Sequence, residues 1–188
     1  MQKRARRRAA AVLTEDIEAF GRLGYREVGR RGPLEARLVA DGRPALRLAL
    51  RPTGGRVFGG TFALEVATDG PVLPRTRGIS ARGIGVVRLR GIAFRARSGD
   101  EEGRRLAERL TSDHLLTQAL SGVHFEQIRV DSDGRAVIRH MGGSLVWLLF
   151  PPLARPVPIV LEQIEATVSA LEAFSGGGRR PNDGRRPR

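Results

Sequence analysis

The sequence predicts an α+β fold, a largely antiparallel sheet with helices packed on one face. Three observations predict it. Apolar and charged residues alternate at a period of two through much of the first hundred residues, as half-buried strands require. The spacing changes to three and four after Ser98 and again after Ile159. The pairs Asp41-Gly42 and Asp133-Gly134 separate strand-like runs, and such pairs close antiparallel hairpins.

Each element has its own local reason. Thr14 is placed to cap a helix whose first turn carries Glu15, Asp16 and Glu18, with Leu13, Ile17 and Phe20 on one face and Gly24 at its end. Leu34, Ala36 and Leu38 then alternate with Glu35 and Arg37. The return strand sets Leu46, Leu48 and Leu50 inward and Arg47 and Arg51 outward. Phe62, Leu64 and Val66 repeat the pattern around an outward Glu65. Val87 and Leu89 are followed by Ile92 and Phe94, a slip in phase that a bulge at Gly91 would produce. Ser98 with Glu101 matches a capping box for a helix bearing Leu106, Ala107 and Leu110. Ser112 or Asp113 restarts a short helix. Phe125–Val130 and Ala136–His140 form a hairpin. The run from Leu145 to Phe150 reads as a central strand covered on both faces, and a last helix spans about Ile159 to Phe174.

The 188 residues carry 33 Lys plus Arg against 20 Asp plus Glu, a formal charge of +13. That length suits one domain. Much of the excess sits at the ends: Lys3, Arg4, Arg6, Arg7 and Arg8 at the front, and Arg179, Arg180, Arg185, Arg186 and Arg188 at the back. The expected organisation is therefore a disordered basic arm over 1–9, a single domain over 10–174, and a disordered Gly/Arg tail over 175–188. Lys3 is the single lysine. So lopsided a ratio fits composition bias in a GC-rich genome better than any binding requirement, so only the clustering of arginines carries information.

Zero Cys excludes disulfides, thiolate metal sites and cysteine nucleophiles. No apolar run has the length of a membrane span, and the front lacks the apolar core of a secretory signal, so a cytoplasmic location is expected. No cofactor or metal is expected, since no compact ligand motif is present. Gly83-Ile84-Gly85 lacks the third glycine and following helix that a dinucleotide loop needs.

The segment Val123–Phe150, with Val-His-Phe-Glu at 123–126 and Ile-Arg-His-Met-Gly-Gly-Ser at 138–144, resembles an uncharacterised bacterial family of unknown function. The resemblance implies no known activity and no functional residues.

Two clusters are candidates for function. Pro71 to Arg97 holds seven arginines and no acid. Arg88, Arg90, Arg95 and Arg97 would share an outer sheet face, joined by Arg47 and Arg51 from a neighbouring strand. Guanidinium forks arrayed in this way suit phosphates and carboxylates. The second cluster is His140, expected opposite Gln127 or Glu126, with Ser144 after a Gly-Gly turn. A histidine–carboxylate pair can act as a general base, but the spacing matches no nucleophile elbow.

The leading expectation is a non-catalytic accessory protein that meets an anionic partner, whether acidic protein, phosphoryl ligand or lipid headgroup, through the arginine-lined face. A nonspecific nucleic-acid backbone binder is the first alternative, disfavoured by aromatics of only 5% that fall on inward phases. A small hydrolase using His140 with Glu126 is the second. The seam Leu161, Ile164, Val168 and Leu171 leaves a homodimer open.

Overall fold

A computed structural model describes residues 2–53, 59–84, 91–148 and 153–176. Among them are four helices and a ten-stranded sheet in which every pairing is antiparallel. The α+β expectation therefore holds, and the physical reason is the alternation that predicted it.

The first helix, α1, spans Gln2–Gly21. It begins well before Thr14 and takes in residues 2–9, where a disordered arm was expected. Three successive alanines, Ala9 to Ala11, are the strongest helix formers, and Ala5, Ala9, Val12, Leu13 and Phe20 make a buried stripe. Thr14 is consequently mid-helix, and its hydroxyl donates to Ala10 O at 3.2 Å instead of capping.

A meander follows: β1 (Arg26–Arg30), β2 (Glu35–Val39), β3 (Leu46–Thr53) and β4 (Gly59–Thr68). Leu38, Leu46, Leu48, Leu50, Leu64 and Val66 all point inward and are almost fully buried, as the period of two requires. β5 (Ile79–Ile84) and β6 (Gly91–Ala96) form the next hairpin, with Ile92 and Phe94 inward. Val87 and Leu89 lie outside the described residues. Within them the β5–β6 register is continuous from Ile79↔Ala96 to Ile84↔Gly91.

α2 (Glu101–Ser112) is capped by Asp100, which accepts from Gly103 N at 2.9 Å, so the cap is not Ser98. α3 (His114–Ser121) is capped by Asp113 through Leu116 N. β7 (Phe125–Val130) and β8 (Ala136–His140) flank the expected turn. Gly134 there has a φ of 81°, and a side chain would collide with the Leu73 carbonyl.

β9 (Ser144–Leu148) and β10 (Leu153–Val157) complete the sheet. The sheet runs β1-β2-β3-β4-β8-β7-β5-β6, and β9 branches from β4, carrying β10 on its other side. β9 is thus part of a branch whose burial fades along its length, from Leu145 at 1% exposure to Leu148 at 40%. The expected strand covered on both faces is corrected as far as Leu148, and Leu149 and Phe150 lie outside the described residues. Its far neighbour is the Pro-bearing edge strand β10, which has no further partner among the described residues to bury it.

α4 (Leu161–Gly176) closes the core. Ile164, Val168, Leu171 and Phe174 are buried, and Phe174 meets Phe94 edge-on with ring centroids 6.1 Å apart. The seam considered for a second copy is largely spent within the chain. The helices contact the inward face: α1 packs on β3 and β9, α4 on β4 and β8, and α2 on β6. The opposite face of the sheet carries no helix among the described residues.

Candidate functional site

Strand phase builds the helix-free face. Register carries one row across it: Arg37 beside Arg47, then Ala67, Val137, Arg129, Ser80 and Arg95. The adjacent row runs Glu35, Ala49, Glu65, Arg139 and Gln127. Arginines and carboxylates therefore sit on neighbouring rows, close enough to pair across strands.

They do pair. Glu35 accepts from Arg51 at 2.7 Å and lies 3.7 Å from Arg47. Asp69, just beyond β4, binds Arg47 at 3.0 Å and Arg37 at 2.6 Å. Glu65 holds Arg129 at 2.9 Å and Arg139 at 2.6 Å. The Glu65 side chain is only 7% exposed, so its charge needs both guanidiniums. Five arginines thus share three carboxylates.

Of the residues singled out in the sequence, Arg47 and Arg51 belong to this network. Arg95 and Arg97 are exposed and have no acidic partner among the described residues. Arg88 and Arg90 lie outside the described residues. Asp69, Arg129 and Arg139 were not singled out, although the outward phase of β7 and β8 already placed the two arginines there.

The histidine cluster is arranged differently from the expectation. A bulge between Phe125 and Gln127 sets Phe125, not Glu126 or Gln127, opposite His140. Glu126 is exposed, while His140 is 1% exposed on the inward face. The His140 Nε2 lies 3.1 Å from Thr167 Oγ1. That hydroxyl donates to Gln163 O at 2.6 Å, which leaves the ring to donate and fixes the Nε2–H tautomer. Burial pushes the imidazole down to about 4, so it is neutral at pH 7. Ser144, also buried, donates to Met141 O at 3.0 Å. A ring so enclosed and so weakly basic is suited to holding α4 on the sheet.

A second buried polar group was missed. Asp16 is 4% exposed on the α1 stripe, and its Oδ2 has no hydrogen-bond partner. Burial, with Glu15 adding to it, pushes this carboxyl up to about 8. The signal was legible: Asp16 follows Leu13 by three and precedes Phe20 by four. It lies near the Gly142-Gly143 turn, where a Cβ on Gly143 would stand 3.2 Å from Asp16 Oδ1.

One cavity, of about 260 Å³, opens between α1 and the β9–β10 hairpin and is lined by Arg4, Ala5, Arg8, Trp147, Leu148, Leu153 and Ala154. Among the described residues no cluster of His, Cys, Asp and Glu could hold a metal ion, and no helix is long and apolar enough to cross a membrane.

Fold and surface together define an all-antiparallel α+β protein with an ion-paired arginine face, in which His140 and Glu126 are held apart. The chain belongs to the family described as Protein of unknown function (DUF3156), whose model matches residues 20–176. Neither the curated proteins nor the solved structures offer a match to it.

Proposed function

We propose that this protein is a non-catalytic binding protein for an anionic partner, met across the arginine rows of the helix-free sheet face. One observation carries the reading: five arginines share three carboxylates there. Each carboxylate pins two guanidiniums, so the forks are held before any ligand arrives. Less side-chain freedom is then lost on binding. The surplus positive charge, with Arg95 at the end of the same row, favours carboxylate or phosphate oxygens, which guanidinium engages bidentately. Aromatic side chains are absent from the described residues of this face, which favours charge contacts over base stacking.

The test is fluorescence anisotropy of the full chain with labelled poly-glutamate and labelled random duplex DNA, over a range of KCl. Arg95→Gln with Arg97→Gln leaves every ion pair described above intact and should weaken binding of the preferred anion. Unchanged affinity in that double variant would reject the reading. A strong preference for the duplex, with a steep salt dependence, would select the nucleic-acid alternative.

A further inference from the structure

The cavity between α1 and the β9–β10 hairpin joins two features that the sheet-face reading does not use. One is apolar exposure. Leu148 is 40% and Leu153 52% exposed, on the last described pair of β9 and β10, beside a half-buried Trp147. The other is charge. Arg4 and Arg8, one helical turn apart, line the same cavity, and Lys3, Arg6 and Arg7 are exposed around them. Arg155 is exposed on β10. Neither the helix before Glu15 nor the sequence from Ser144 to Val157 contains an acid.

We infer that this pole is a docking surface for an anionic lipid bilayer, the hairpin leucines entering the interface while the α1 cations meet the headgroups. Charge complementarity selects this occupant. A second copy docking pole to pole in a two-fold dimer would set six cations against six. A nucleic acid would satisfy the cations but leave the leucines without an apolar phase. A small anion would engage Arg4 and Arg8 but not cations spread around the helix. Only an anionic bilayer offers apolar depth beneath a continuous negative surface. Neither a shallow apolar insertion nor a basic patch holds a protein there alone, and together they supply the two signals that stable attachment needs.

The experiment uses the full chain and phosphatidylcholine vesicles with or without phosphatidylglycerol. Trp147 is the one tryptophan in the sequence, so its emission reports on this pole. With phosphatidylglycerol present, the emission should shift to the blue and the protein should co-sediment. Pure phosphatidylcholine should do neither. Arg4→Gln with Arg8→Gln should lower the partition coefficient roughly thirtyfold, since each cation near an anionic surface is worth about fivefold. Leu148→Ser with Leu153→Ser, at exposed positions and checked by circular dichroism, should abolish the blue shift. The blue shift of Trp147 with anionic vesicles should survive Arg95→Gln with Arg97→Gln, which separates this surface from the sheet face. The inference is overturned if anionic vesicles leave the Trp147 emission unmoved. Equal partitioning of the Arg4/Arg8 variant would also overturn it, as would a dimer in sedimentation that the leucine substitutions dissociate.

Discussion

Replacing Asp16 by asparagine should stabilise the protein at neutral pH, by an amount that grows as pH rises. The native carboxyl titrates near 8, raised from 3.8 first by burial and then by Glu15. In the unfolded chain it ionises near its ordinary value, about 4. Between those values the folded state retains a proton that the unfolded state has released, so stability falls as pH rises through the window. One pKa unit corresponds to about 1.4 kcal/mol, so the three units up to pH 7 amount to roughly 4 kcal/mol. Local relaxation makes this an upper value. Asparagine has no proton to retain and removes the pH-dependent part. Urea denaturation of both proteins at pH 5, 6, 7 and 8 measures it. The advantage of D16N should increase by about 1 kcal/mol per unit between pH 5 and 7. His140 titrates in both proteins and cancels from the difference. A difference independent of pH would refute the assignment of a buried, protonated Asp16.

His140 acts with the opposite sign. Its folded value of about 4 lies below the ordinary 6.5, so its contribution is lost as pH falls from 6.5 towards 4, and H140N should be less acid-sensitive than the wild type in the same denaturation series. Replacing Arg129 and Arg139 together by methionine strands the Glu65 charge at 7% side-chain exposure and should cost about 3–5 kcal/mol, whereas E65Q leaves two half-wetted arginines and should cost about 1. Equal losses in the two variants, read by thermal melting, would contradict that asymmetry. Gly143→Ala forces a side chain onto a φ of 64° and to 2.5 Å from Leu64 Cδ2, so it should destabilise by about 2 kcal/mol or more, and an unchanged melting temperature would disprove the strain.

Strand phase was readable wherever leucine alternated with arginine, as at Leu46 to Arg51, because one buried face imposes a period of two. The hairpins at Gly42 and Gly134 were readable for the same local reason. The start of α1 was not. Its first buried positions are Ala5 and Ala9, small residues set among five cations, which resemble a solvated arm until a neighbouring hairpin covers them. The six apolar residues from Leu145 looked like a central strand, because hydrophobicity reports a preference for burial and not whether a partner exists to provide it. His140 and Glu126 looked like a pair because a regular ladder would align them. A single bulged residue turned one inward and left the other in water.

The sequence alone determined the strand phases, the main turns and the sign of each surface, since these follow from side-chain chemistry within a few residues of chain. The tertiary structure decided which charges are neutralised. Glu65 meets Arg139 across 74 residues and Arg129 across 64, separations at which local pattern holds no information. It also decided that Asp16 lies in the core and Leu153 in water, because burial belongs to the packed molecule and depends on what stands opposite.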